Sequence, residues 1–293
     1  NDVADYYFEV QRFDRDVVAA LALLEKAGEL ENTIVVMTGD HGMPFPRHKC
    51  HLYDAGTHVP LAIRWGKGVK AGRRVTDFVS FTDLAPTFLE AAGVNVPTEM
   101  TGRSITKILA SPGNGQIDPR RDHALTGRER HTIAQVPPST GGYPMRAIRK
   151  HDFLYIRNFL PDRWPSGGPE RNYRDCDGGP TKTFLLKHRD APDVKQFFDL
   201  AFARRPAEEL YDLAIDPHQL LNVAGKARYK EVQATLGKQL MAELKATGDP
   251  RVTGGGEQFD QYRYFGRAGK RKPGGKKKKK KKKKKQEPAV SAR

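Results

Sequence analysis

Residues 40 to 65 read DHGMPFPRHKCHLYDAGTHVPLAIRW, a run with a carboxylate, four histidines and a lysine that then turns apolar. Asp40 and His41 are adjacent, and at a strand end that opens into a loop both side chains can converge on one ion. A carboxylate suits Ca²⁺ or Mg²⁺, whereas imidazole suits Zn²⁺ or Mn²⁺, so the pair alone leaves the metal open. The bland alternative is that Asp40 caps the loop and His41 is an ordinary satisfied polar residue. Lys49 is either a solvated surface lysine or a point charge aimed at a tetrahedral oxyanion. His48, His51 and His58 stand at i, i+3 and i+10, which matches no strong metal motif, and they read as structural or substrate-contacting.

The elements that must position these groups are legible in the flanking sequence. Val10, Phe13, Val17, Leu21 and Leu24 recur at helical spacing, and Gly28 is a stop signal. TIVVMTGD is a short β-branched run and reads as a buried strand that ends directly before Asp40. VPLAIRW reads as a second strand. VTDFVSFTDLAPTFLEAAG reads as a third strand followed by a helix capped near Thr82 and Asp83. Strands alternating with helices predict an α/β domain with a parallel or mixed sheet, in which sites form past the carboxyl ends of strands. After about residue 120 the pattern changes. MRAIRKHDFLYIRNF reads as two short strands joined near Lys150 to Asp152, then a Pro/Gly-rich stretch, a helix near 193 to 203 and a last helix over 226 to 247. Three regions follow: 1–120 as the α/β part, 121–250 as a small α+β subdomain, and 251–293 as a disordered Gly/Lys-rich tail.

The net charge of +16 is uneven, because residues 270 to 293 hold fourteen Lys and Arg against one glutamate. That stretch carries +13, so the remaining residues carry only about +3. No aromatic residue interleaves Lys276 to Lys285, so the run can bind polyanions non-specifically but has no means of reading a nucleic-acid sequence. There is no signal-peptide pattern and no apolar run of about 18 residues. The chain starts at Asn1, so this says nothing of compartment. Cys50 and Cys176 are either free thiols or one bridge, and neither sits in a CxxC pair.

ELENTIVVMTGDHG, KCHLYDAGTHVPLAIRW, SFTDLAPTFLEAAGV and ELYDLAIDPHQLLNVA together resemble, in order and spacing, the C-terminal half of a type I sulfatase of the alkaline phosphatase superfamily. PFPRHK…LY and GGYPMRAIRKHDFLYIRNFLPDRWP are similar to bacterial sulfatases of the heparan N-sulfatase (sulfamidase) type. The resemblance implies the C-terminal part of an alkaline-phosphatase-like mixed sheet flanked by helices. It also implies removal of sulfate from a sulfated small molecule or polysaccharide such as a glycosaminoglycan, in a periplasmic or secreted protein. Asp40 and His41 match the family's late metal-binding positions, for one divalent cation, usually Ca²⁺. Lys49, four residues before Tyr53, matches its sulfate-binding lysine. Arg130, His131, Arg146, Arg149 and His151 fall in the part that often lines the pocket mouth, and none is assigned a role from sequence.

The departure from the family is large. Its nucleophile is a formylglycine made from Cys or Ser in C/S-x-P/A-x-R, and Cys50 is followed by HLYD and Cys176 by DGGP. The formylglycine and the early pair of metal-binding aspartates are expected upstream of Asn1, and the 293 residues by themselves are expected to be inactive. Two other readings compete. One is a metal-dependent phosphohydrolase or phosphonate hydrolase of the same superfamily, though no extra His/Asp cluster for a second metal is visible. The other is an inactive remnant with a polyanion-binding tail.

Overall fold

The computed structural model describes residues 2–265. The Lys276–Lys285 run, and with it the polyanion reading, lies outside the described residues. The chain begins with helix α1 (Asp2–Lys26). Asp2 and Asp5 in its first turn and Lys26 in its last complement the helix dipole. Gly28, at φ +75°, ends it as sequence predicts. The Gly28 and Glu29 N–H groups donate back to the Glu25 and Leu24 carbonyls, which only a left-handed residue allows without strain.

Strand β1 (Ile34–Thr38) follows, then a long irregular loop that contains a single helical turn, α2 (Asp54–Thr57), then β2 (Leu61–Trp65). β1 and β2 pair antiparallel, Ile34 opposite Trp65 and Thr38 opposite Leu61. The third strand expected at VTDFVSF is absent. That stretch is extended but makes only one isolated bridge, Val75 to Gly115. Asp77 lies in its middle and accepts the Ile117 and Asp118 N–H groups through its carboxylate, so its partner is a loop where a strand was expected. The helix after it is α3 (Leu84–Ala91), preceded by a 3₁₀ turn that a Ser80–Asp83 capping box starts. α4 (Thr106–Ala110) completes this part.

The second part is an antiparallel sheet in the order β3 (His123–Arg128), β4 (Met145–Lys150), β5 (Phe153–Asn158) and β6 (Glu208–Asp212). β4 and β5 form the hairpin read from sequence. α5 (Pro180–Lys187) and α6 (Lys195–Phe202) come between β5 and β6, and α7 (Lys230–Ala246) follows. Side chains alternate across the sheet, as the period of two requires. Ile148, Tyr155 and Leu210 pack against Leu236, Leu240 and Leu244 of α7. Ala147, Leu154, Ile156 and Tyr211 face the other way, onto Leu52 and Tyr53 of the first part.

The reading of an α/β chain with helices packed on sheets holds, and the described strand ladders are all antiparallel. One more expectation changes. The chain also stays ordered past the boundary placed at 250, through α8 (Pro250–Thr253) and α9 (Gln258–Gln261). Asp260 is held there by a two-point ion pair with Arg163, and Arg251 pairs with Glu129.

Burial is uneven. No residue of α1 is buried, and Leu23, off its apolar stripe, is 69 % exposed, whereas Leu240 is fully buried. Leu240→Ala is expected to cost about 3 kcal/mol and Leu23→Ala to stay within about 0.5 kcal/mol. Urea unfolding of both variants checks this, and an equal loss from the two would show Leu23 to be packed after all.

Candidate metal and anion site

The loop from Gly39 to His58 closes on itself. Gly42 N–H donates to the Gly56 carbonyl at 3.0 Å. A Cβ at Gly42 would collide with the Ala55 carbonyl, and one at Gly56 with the His48 and His51 carbonyls. Both glycines are needed because backbone meets backbone here. Within the loop Lys49 N–H donates to Met43 O, and Arg47 and Cys50 take left-handed conformations, both at φ 69°.

Asp40 sits just past β1 with its side chain 88 % exposed, and His41 Nε2 lies 3.5 Å from its carboxylate. His41 Nδ1 lies 2.7 Å from the Gly42 carbonyl, which can only accept, so Nδ1 carries the hydrogen. In the neutral ring the Nε2 lone pair then faces a carboxylate. Two lone-pair groups facing each other need a cation or a proton between them. Anchoring of the distal nitrogen by a backbone carbonyl is also how a metal-binding histidine is oriented. The pair therefore fits as two donors to a divalent cation. Among the described residues no cluster of three or more His, Cys, Asp or Glu donors exists.

Lys49 is placed from the other side. Its Nζ donates to Asp177 Oδ2 at 2.8 Å, with the lysine side chain 18 % and the aspartate 40 % exposed. The Asp177 hydrogen bond holds the ammonium above its ordinary pKa, against the opposing effect of burial, and the Asp40 carboxylate adds to that attraction. An ammonium has three donors, and Asp177 takes one.

Two residues before Asp177, the buried Asp175 accepts the Thr132 N–H at 3.0 Å and the Thr132 hydroxyl at 2.6 Å. This fixes the loop that carries His131. His131 is half-buried, and burial pushes it below its ordinary pKa, with Lys49 and Arg128 adding to the effect. It thus sits within electrostatic reach of Lys49 as a neutral imidazole, and no hydrogen bond engages it among the described residues. Arg128 closes the arrangement by donating to the Cys50 and Pro165 carbonyls.

The other candidates have structural partners. His48 Nδ1 meets the Pro46 carbonyl, and His58 is exposed, 3.9 Å from Asp54. His51 is buried, and its Nε2 donates to Ser166 Oγ at 3.0 Å, whose own hydrogen goes to the Ala201 carbonyl. Arg130 donates to the Thr140 and Tyr262 carbonyls, Arg146 is held between Glu129 and Asp249, Arg149 is bidentate to Asp54, and His151 packs on Phe78. Of Arg130, His131, Arg146, Arg149 and His151, His131 alone has no hydrogen-bond, ion-pair or ring partner among the described residues. Both cysteines are free, and burial pushes each thiol up to about 11, so neither is a thiolate at neutral pH. Asp175 and Asp177 were missed in the sequence, where the one available signal was a pair of acids in the Pro/Gly-rich stretch.

Residues 1–94 match the protein-family model named Sulfatase. The chain is 31% identical over 256 residues to an ulvan-active sulfatase of Formosa agariphila, covering 85% of this chain and 39% of that protein. It is 30% identical over 269 residues to the N-sulphoglucosamine sulphohydrolase of Homo sapiens, covering 86% and 49%. A solved structure of a protein in complex with its substrate D-glucosamine-2-N,6-O-disulfate matches at TM-score 0.58 and 27% identity, over 83% of this chain and 40% of that one. The chain thus spans about two fifths to half the length of the relatives it matches.

His51 generates a pH prediction. Burial lowers its pKa well below the ordinary 6.5 in the folded chain, with nearby arginines adding to the effect, while the unfolded chain protonates near 6.5. Protonation therefore favours the unfolded state as pH falls below 6.5, by about 1.4 kcal/mol per pH unit at the limit. Between pH 7 and pH 5 the wild type should lose about 2 kcal/mol more stability than His51→Gln. Urea midpoints of both proteins at the two pH values measure the difference, and parallel declines would refute it.

Proposed function

We propose that this chain, which belongs to the sulfatase family, supplies one side of a metal-assisted site that hydrolyses a sulfate ester or a sulfamate. The substrate class is a sulfated carbohydrate, a glycosaminoglycan being the leading candidate, because relatives include an N-sulphoglucosamine sulphohydrolase and a neighbour bound to a sulfated glucosamine. The observation that carries the reading is the placement of Lys49. A charged, mostly buried ammonium, with two of its three donors uncommitted among the described residues, is fixed in the loop that opens with an Asp40–His41 pair arranged for a cation.

In this reading Asp40 Oδ and His41 Nε2 hold one divalent cation, Ca²⁺ by family habit. When bound, the cation supplies Lewis-acid polarisation and a template for the sulfate group. Lys49 donates to a non-bridging sulfate oxygen, where negative charge is concentrated as the bond to sulfur breaks. The Nδ1 hydrogen of His41 is engaged by the Gly42 carbonyl, which would leave Nε2 free to hold a cation. His131, neutral, without a hydrogen-bond partner among the described residues and within electrostatic reach of Lys49, would be free to donate to or accept from the sugar side of the substrate. The nucleophile that this family uses, a formylglycine in C/S-x-P/A-x-R, is not among the 293 residues. A periplasmic or secreted setting is part of the proposal. Among the described residues no helix is long and apolar enough to cross a membrane.

The polypeptide of 293 residues should release no sulfate from an aryl sulfate or from N-sulfoglucosamine. The full natural protein with its formylglycine should do so. In that protein Asp40→Ala and Lys49→Ala are each expected to lower kcat/KM about 100-fold or more. Robust turnover by the 293 residues alone, or full activity in either variant, would defeat the assignment.

A further inference from the structure

We propose that Asp177 is a positioning residue for Lys49, holding its ammonium at the place and angle from which it meets a sulfate oxygen. This rests on the reading of Lys49 as the sulfate donor and goes one step beyond it. A lysine carries its charge on a flexible four-carbon stem, and the loop from Met43 to Tyr53 has no regular structure to direct that stem. Nζ donates its side-chain hydrogen bond to Asp177 Oδ2 at 2.8 Å, and the Asp177 carboxylate has no second partner among the described residues.

The turn that carries Asp177 is rigid. Cys176 N–H donates to Tyr173 O at 3.0 Å, Asp175 N–H donates to Ser166 O at 3.0 Å, and both side chains are buried. Lys182, itself buried, donates from its Nζ to the Tyr173 carbonyl at 2.9 Å and to the Cys176 carbonyl at 2.7 Å. From this anchored turn the carboxylate projects outward, 40 % exposed, onto Lys49.

A carboxylate beside an anion seat repels the anion, so its presence calls for a compensating role. The geometry offers one. Asp177 uses a single N–H of the three and leaves two for sulfate, so it can stay in place while the substrate binds. The opposite arrangement, with Asp177 sitting in the sulfate seat and leaving when substrate arrives, would make it a competitor of the anion.

The test is a double-mutant cycle in the full natural protein, with Asp177→Asn, Lys49→Met and the pair, plus Asp177→Glu. The readouts are kcat and KM on an aryl sulfate, the inhibition constant of inorganic sulfate, and the melting temperature. Asp177→Asn is expected to lower kcat/KM about tenfold, mainly through kcat, and to weaken inorganic sulfate several-fold at an unchanged melting temperature. Asp177→Glu should restore part of this, and Asp177→Asn should cost nothing further in the Lys49→Met background. Additive losses would mean that Asp177 acts elsewhere and would overturn the inference, as would tighter sulfate inhibition in Asp177→Asn. A wild type that neither turns over aryl sulfate nor is inhibited by sulfate sinks the reading of the site and this inference with it. An active wild type with an unaffected Asp177→Asn sinks the inference alone.

Discussion

The buried carboxylate of Glu209 is the contact on which the arrangement turns. It lies on β6 and accepts the Tyr53 hydroxyl at 2.8 Å, the Tyr211 hydroxyl at 2.7 Å and the Asn158 amide at 2.8 Å. A charge taken out of water costs several kcal/mol, and only such a full set of donors makes its burial tolerable. Two of those donors come from the second sheet itself. The third, Tyr53, comes from the Lys49 loop, so the donor set is complete only when that loop is docked on the sheet.

Around this contact the other bonds between the two parts fall into place. Arg47 lies over the Tyr53 ring, 3.7 Å from its centre, and donates to the Leu200 and Gln219 carbonyls. His51 reaches Ser166, Gln219 accepts the Asp54 N–H, and Arg149 clamps the Asp54 carboxylate. The α+β subdomain is therefore a wall of the candidate site, with the conformation of the lysine loop depending on it. A loop without its own ladder of hydrogen bonds must be ordered from outside, and here that order comes from residues more than 90 positions away in sequence.

What sequence revealed and what it hid divides along the same line. Helix α1, strands β1 and β2, the β4–β5 hairpin and α7 announce themselves by local periodicity, and Asp40, His41 and Lys49 by residue type beside a strand end. Asp177 and Glu209 carry no such mark, because each meets its partner across 128 and 156 residues of chain. An acid in a Pro/Gly-rich stretch looks like solvated surface until its lysine is found. The strand expected around Val75 failed for a related reason. Its β-branched pattern is genuine, but the Asp77 carboxylate ties the segment to residues 117 and 118. The glycines at 254 to 256 resemble the start of a linker in composition alone, and the Arg163–Asp260 pair beyond them shows the chain still packed.

The two donor groups of the candidate site rest on structures of different solidity. Lys49 is referred to the second sheet and its α7 layer, where Ile148, Leu154, Leu210 and Leu240 are almost fully buried. Asp40 and His41 follow β1, a strand with no fully buried residue that pairs, among the described residues, with β2. Among the described residues β1 is joined to β2 by five residue pairs. Any ligand that engages Asp40 and His41 only while β1 is paired must stabilise β1 by its own binding free energy. If the proposed site is right, its anion side is preorganised by packing, and its cation side would draw order from the ion it binds.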